Sequence, residues 1–376
     1  MTKTQVSDLS AGARREVARR RLAAMRIAPT DRGDASVIAG TVRSSLAMQA
    51  QDLASGCWSI GVRTGASLAD VEAAVDARQI TRSWPMRGTL HFLATEDVRW
   101  MCRLLNDPTN AGIRARWAGL EITDAVLDHA RDVVVVALAR GGRLSRPAAM
   151  DLLREHGISP DGQRGLHILS SFCRDGLLCL GPAEGRQPTF VLLEEWVPWS
   201  WDPGREEAMA SLAERYVLSH GPVTEKDLAG WIAKPLGFAR EAIALAGERI
   251  GQQRIGGASY LVHVDAPPPA ARPGLQLLPG FDEYILGYKD RSAMLTSAQE
   301  RLVVPGGNGV FLPTVVLGGQ VIGTWGRRVT NRKVEVTVAP FRDLTTAHRR
   351  DVARAAAAYG DFLGLPAEVS YQGSAT

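Results

Sequence analysis

The sequence predicts an α+β protein. Three tandem units, each a set of short helices followed by a β-hairpin, precede a small β-rich, barrel-like C-terminal domain closed by a helix. Three observations predict this. Helical and alternating hydrophobic periods succeed one another three times along the chain. Gly142-Arg143-Leu144-Ser145 and Gly221-Pro222-Val223-Thr224 hold the same place in two of these stretches, each after one long amphipathic helix and before another. Past Pro267-Pro268-Pro269 and Pro273-Gly274, which read as a stiff linker, the composition turns to strands.

The elements follow in order. In the first copy Leu68–Arg78 reads as a helix, and strands Thr81–Trp84 and Thr89–Leu93 enclose Met86-Arg87-Gly88. In the second, helices are expected over Asp124–Ala139, Arg146–His156 and Gly162–Asp175. Strands Leu177–Leu180 and Thr189–Leu193 follow, joined by a Gly/Pro-rich turn. Ser145 is a natural N-cap, because its hydroxyl can accept from a free first-turn N–H, and Pro147 suits the first turn that follows. In the third copy Thr224 is the matching cap. Helices run over Arg205–Ser219, Glu225–Ala233 and Gly237–Ile250, and strands Gln252–Ile255 and Ser259–Val264 flank Gly256-Gly257. Three helices and a hairpin wing form the winged-helix pattern. The units are placed at 1–123, 124–202 and 203–266, with residues 267–376 as the linker and β-rich domain. There, strands are expected over Leu275–Leu278, Gly309–Leu317, Gln320–Trp325 and Lys333–Val338. Gly318-Gly319 forms a two-residue hairpin turn, and the closing helix is Thr345–Leu363.

Composition narrows the function classes. With 376 residues the chain exceeds one ordinary core, and a hydrophobic content of 45% is that of a soluble globular protein. No apolar run approaches the roughly 20 residues that span a bilayer. Met1-Thr2-Lys3-Thr4-Gln5 opens no secretory signal, and a cytoplasmic protein is expected. Cys57, Cys102, Cys173 and Cys179 are scattered, which speaks for reduced thiols and against a zinc site. Pro305-Gly306-Gly307-Asn308-Gly309 lacks the Lys-Ser/Thr and the helix of a phosphate loop, and neither a Gly-x-Ser-x-Gly nor a paired-carboxylate motif is present. Chemistry dependent on nucleotide, metal or acyl-serine is disfavoured, and no cofactor is expected. A net charge of +4 and a pI near 9.0 permit a polyanionic partner. Arg14, Arg15, Arg19, Arg20, Arg21 and Arg26 concentrate positive charge on one N-terminal helix. Two readings stand for them, a polyanion-facing surface and a solvated helix.

Four separated blocks carry a family resemblance: Leu46-Ala47-Met48-Gln49-Ala50-Gln51-Asp52, Ser83 to Phe92, Phe281 to Arg291, and Asn308 to Thr314 continuing through Gly323-Thr324-Trp325. Together, over about residues 20 to 365, they resemble the AlkZ/YcaQ-type winged-helix DNA glycosylases, which excise N-alkylated purines, including those in interstrand crosslinks. The resemblance implies a catalytic Gln-x-Gln at Gln49 and Gln51, as in the antibiotic self-resistance branch. It also implies double-stranded DNA carrying alkylated purines as partner, for which a monomer suffices.

The chemistry suits the residues. N7 alkylation leaves the purine positively charged and a good leaving group, so what remains is to position a water and to stabilise an oxocarbenium-like sugar. A glutamine carbonyl accepts from water and its NH₂ donates to phosphate or base. Residues two apart do not share a helix face, so for both glutamines to meet one water the helix must end near Met48. The alternative is that both amides cap or solvate the helix end. Asp52, a stronger base, is a rival water activator or a cap for the next segment. Arg87 at the first wing tip can reach phosphate or form a surface ion pair. His91, on the face of Thr89, is a DNA-contact candidate or a satisfied hydrogen-bonding residue. Trp325, Arg327 and Arg328 make a basic hairpin able to probe a groove, or else an ordinary charged rim. Trp196, Trp199 and Trp201 read as a packed inter-domain connection.

Overall fold

The computed structural model describes residues 9–27, 33–107, 110–185, 187–197, 201–269, 274–307 and 309–373. Runs of helices are interspersed with strands along the chain, as expected for a mixed α and β protein. The chain divides into two compact units: Met1–Val71 with Met209–Thr376, and Glu72–Ala208.

In the second of these units the hairpin Ile80–Met86/Thr89–Ala94 lies beside Leu178–Glu184, which pairs in turn with Gln187–Leu192 and then Leu144–Ser145. Helices Asp124–Leu138, Arg146–Glu155 and Arg164–Arg174 cover this sheet. Val134, Leu138, Leu153, Ile168, Phe172, Leu180 and Phe190 meet in one core. The Arg87-Gly88 turn has φ of 56° and 68°, the primed geometry whose twist suits a two-residue hairpin. Trp196 is buried with Arg78 4.5 Å above its ring, and Trp201 meets Trp100 edge-on at 5.7 Å. Trp199 lies outside the described residues, as do Pro273 and Asn308 of the sequence motifs.

One order of elements occurs twice. Helix Asp124–Leu138 leads to Leu144–Ser145, which pairs with Phe190 and Thr189 of the following hairpin. Helix Arg205–His220 leads to Val223, which bridges Leu261 of the hairpin Ile250–Ile255/Ala258–His263. In each case the next helix starts at once, capped by Ser145 or by the Thr224–Asp227 capping box.

The C-terminal sheet is ordered Ala367–Tyr371, Val334–Pro340, Gln320–Val329, Thr314–Leu317, Leu275–Leu278. It is open and does not close into the expected barrel. Its last strand runs parallel to Val334–Pro340, which requires a crossover, and the crossover is helix Thr346–Leu363. Tyr359 and Phe362 of that helix pack on Trp58 at 4.9 and 5.1 Å, so a helical layer seals the sheet. The strand expected from Gly309 begins only at Thr314, after Pro313, which has no N–H to give a ladder. At the Gly318-Gly319 turn a Cβ on Gly319 would stand 2.9 Å from the Ala18 Cβ, so the turn meets the helix Ala11–Ala24 without room for a side chain.

Candidate active site

The helix Ala35–Ser44 ends earlier than the sequence suggests. Leu46 adopts φ 64°, a turn that L side chains seldom accept, and Met48–Gln49 leaves it extended. The two glutamines therefore lie on non-helical backbone, and they differ. Gln49 is 8% exposed. Its N–H donates to Glu283 Oε1 at 3.1 Å, while its own buried Oε1 has no hydrogen-bond partner among the described residues. Gln51 is exposed. Asp52 stands at the N-cap of helix Leu53–Thr64, and its carboxylate accepts from Ser55 Oγ at 2.6 Å and from Arg327 Nη2 at 3.2 Å.

Beneath Gln49 lies a buried polar centre. Glu283, 3% exposed, also accepts from Trp231 Nε1 at 2.8 Å, and His220 Nε2 stands 4.0 Å from the same oxygen. His220 stacks on Tyr216 with centroids 4.5 Å apart and shares a hydrogen bond with Ser219 Oγ. Burial pushes its imidazole below the ordinary pKa, against the pull of Glu283. The neighbouring Asp282 takes both guanidinium nitrogens of Arg63, at 2.7 and 2.8 Å, as well as Ser59 Oγ and the Tyr284 N–H. Burial lowers the Arg63 pKa, but attraction and hydrogen bonding from Asp282 outweigh it and the net shift is upward. Arg21 is fully buried: it donates to Pro222 O at 3.0 Å, lies 3.8 Å over the Tyr288 ring and sits 3.9 Å from Asp227. One member of the N-terminal arginine cluster is thus structural, and Arg20 pairs with Glu16 and Gln253. The sequence offers Arg21 only as part of the basic N-terminal helix, and Asp282 and Glu283 only within the Phe281–Arg291 block. Neither reading brings them together with His220 and Trp231, although two adjacent carboxylates inside the apolar run Phe281–Leu286 are a signal for a buried centre.

The C-terminal hairpin divides its residues by strand alternation. Trp325 points inward, 4% exposed, with Nε1 donating to Leu278 O at 2.8 Å and its ring against Tyr359 at 5.3 Å. A groove contact by its ring would need that packing undone. Arg327 reaches Asp52 and Ser55, which joins the hairpin to the segment after Gln51. Arg328 is 79% exposed and 3.8 Å from Glu335. In the other unit Arg87 and His91 form a pair of their own. The Arg87 guanidinium donates to His91 Nε2 at 2.9 Å, so Nδ1 carries the proton and donates to Thr89 O at 2.9 Å. His91 is buried and satisfied. Gln49 and Gln51 border neither of two cavities of about 410 and 570 Å³. Among the described residues no helix is long and apolar enough to cross a membrane.

The arrangement offers a side-chain carbonyl with no partner among the described residues, on a residue whose backbone N–H is held by a buried carboxylate. The exposed amide of Gln51 follows, and then Asp52 with its arginine. Such a set can orient water and meet phosphate, and it includes no paired general acid and base. Comparison with known proteins agrees on the class. The model of the family described as AlkZ-like DNA glycosylase matches residues 42–362. An interstrand DNA cross-link repair glycosylase from Streptomyces sahachiroi is 25% identical over 284 residues, 70% of this chain and 74% of that protein. The solved structure of the Streptomyces sahachiroi DNA glycosylase AlkZ superposes with a TM-score of 0.77 at 22% identity, over 94% of this chain and 98% of that one, and so shares the fold. The chain belongs to the AlkZ-like DNA glycosylase family, an enzyme family whose substrate is DNA.

Proposed function

We propose that the protein is a monofunctional glycosylase that hydrolyses the N-glycosidic bond of N7- and N3-alkylated purines in duplex DNA, with crosslinked and bulky natural-product adducts within its range. The observation that carries this reading is Gln49: its Oε1 is buried, unpartnered among the described residues, and fixed through the backbone of the same residue. An acceptor in that state is suited to a water aimed at the anomeric carbon, where placement rather than deprotonation is needed once the leaving purine is cationic. Gln51, two residues on and exposed, is placed to hold a phosphate, the base or the same water. The cross-link repair activity in the name of the relative supports the adduct class.

On this reading the three helix-and-hairpin stretches are winged-helix units at 1–123, 124–202 and 203–266; the first presents Arg87, and the hairpin of the C-terminal domain presents Arg327 and Arg328, to the backbone of the duplex. The recurrence of a short strand before a capped helix, at Ser145 and at Thr224, supports the second and third units. The lysines, at 3, 226, 234, 289 and 333, all stand outside the Gln49 and Trp84–Phe92 segments. A Schiff-base lyase step therefore has no evident nucleophile in those two segments. The enzyme works as a monomer, in the cytoplasm where its DNA lies.

The test is base release from duplexes carrying N7-methylguanine, N3-methyladenine or an N7-guanine crosslink, with wild type, Gln49→Ala and Gln51→Ala. Release that depends on the glutamines while duplex affinity persists is the expected result. A Gln49→Ala/Gln51→Ala double variant, assayed beside them, that is as active as wild type would remove the assignment.

A further inference from the structure

We propose that Glu283 is a positioning residue for base release: it holds the Gln49 peptide so that the side-chain carbonyl of Gln49 is set toward the attacking water. The inference rests on the reading of Gln49 given above. It is carried by geometry. Glu283 is 3% exposed, yet each of its oxygens faces an N–H from a different element. Oε1 takes the Gln49 N–H at 3.1 Å and Oε2 takes the Trp231 indole N–H at 2.8 Å. His220 Nε2 approaches Oε2 to 4.0 Å, and this ring has its place only because residue 287 is glycine, whose Cβ would come within 2.6 Å of His220 Cδ2.

An anchor made only for stability has no need of a carboxylate. Burying the charged group is costly, and an amide side chain would fill the same space. What the carboxylate adds is two acceptors with no donor. A glutamine in its place would have to turn its NH₂ toward one of the two N–H groups. Glu283 also follows Asp282, whose bidentate contact with Arg63 and hydrogen bond to the Tyr284 N–H fix the start of the short helix Glu283–Leu286. The acceptor is thus held rigid on its own side, and Gln49 inherits that rigidity. Supporting groups of this kind govern activity without touching substrate, because a displacement of the order of an ångström at the reacting group is enough to slow a reaction.

The experiment is single-turnover base release by the full chain, on whichever of the N7-methylguanine, N3-methyladenine and N7-guanine crosslink duplexes wild type cleaves fastest. The variants are Glu283→Gln, Trp231→Phe, Gln49→Ala and Gln49→Ala/Glu283→Gln. Glu283→Gln is expected to slow release by about 100-fold with duplex Kd held within about twofold. Trp231→Phe, which keeps the ring and removes one donor, is expected to slow it by about tenfold. The double variant is expected to be no slower than Gln49→Ala alone, because Glu283 acts through Gln49. Multiplying effects in the double variant, wild-type release by Glu283→Gln, or a rate loss matched by lost affinity and a lowered Tm would each overturn the proposal. Should Glu283→Gln not fold, Trp231→Phe decides alone: a wild-type rate overturns it. Full release by Gln49→Ala, or none by wild type, would instead remove the glycosylase reading of Gln49, and this inference with it.

Discussion

The polar groups beneath Gln49 and those on the hairpin Gln320–Val329/Val334–Pro340 carry similar chemistry under opposite conditions. Beneath Gln49, Arg21, Arg63, Asp282 and Glu283 are almost wholly withdrawn from water, and each is held by several partners. On the hairpin, Arg328 is largely exposed near one acid, and Arg327 shares Asp52 with Ser55. Burial makes a polar group expensive to leave unpaired, so the first region is rigid by construction. Exposure makes the Arg328–Glu335 ion pair worth little, so Arg328 can exchange a protein carboxylate for a phosphate at small cost, whereas Arg327 is mostly buried. A site that must place a water to a fraction of an ångström, and also follow a variable DNA backbone, has use for both.

The largest effect that can break this contrast is on stability. Asp282→Ala strands the buried Arg63 guanidinium and is expected to cost about 3–5 kcal/mol in urea unfolding, whereas replacing both partners by leucine should cost less than either single change. A loss for Asp282→Ala no larger than that of Arg328→Ala would mean that the centre is not rigid. Next comes chemistry. Gln49→Ala is expected to lower the single-turnover rate by roughly 100- to 1,000-fold, the range for loss of one preorganised polar contact, with duplex Kd unchanged. Arg328→Ala should do the reverse: rate at saturating DNA unchanged, affinity reduced on every sequence, and the salt slope smaller by about one.

The pH dependence is smaller. His220 titrates below its ordinary value of 6.5, chiefly because it is buried, so the folded state resists a proton that the unfolded state accepts. The unfolded chain thus binds more protons, and stability falls as pH drops below about 6.5, by at most about 1.4 kcal/mol per unit from this group. Above that pH the group contributes no slope. Urea midpoints at pH 7.5 and 5.5 should show a shallower fall for His220→Gln than for wild type, and equal slopes would mean that the ring is protonated in the fold.

What was legible in the sequence was whatever local chemistry decides. Ser145 and Thr224 cap the helices they precede, and Gly256-Gly257 and Gly318-Gly319 turn their hairpins with positive φ, because caps and turns are settled within four residues. The buried centre was not legible, since Gln49 and Glu283 are separated by 234 positions and only the folded chain makes them partners. Other signals were present and outvoted. Arg21 stands four residues from the buried Val17, on the apolar face of its helix, which the charge of its neighbours disguised. Alternation along Gln320–Val329 places Trp325 inside and Gly326 outside, so its proximity to arginines in sequence did not make it a surface residue. The strand Ala367–Tyr371 has the same two-residue alternation but pairs in parallel, and that pairing depends on the crossover helix before it.

The smallest expected effect separates the roles of Arg87. Its φ of 56° is a conformation that asparagine accepts more readily than arginine, so the backbone alone gives no reason for arginine here. The guanidinium is held to His91 Nε2, a partly buried contact that stabilises the hairpin. Arg87→Asn should therefore lose that hydrogen bond and gain turn propensity, with a net stability change within about 0.5–1 kcal/mol. If the residue is kept for its charge, duplex affinity should fall while the rate at saturating DNA stays, and the salt slope should drop by about one, as for Arg328→Ala. An unchanged affinity would make Arg87 the partner of His91 and nothing more, and would leave the exposed arginine of the C-terminal hairpin to carry the phosphate contact without it.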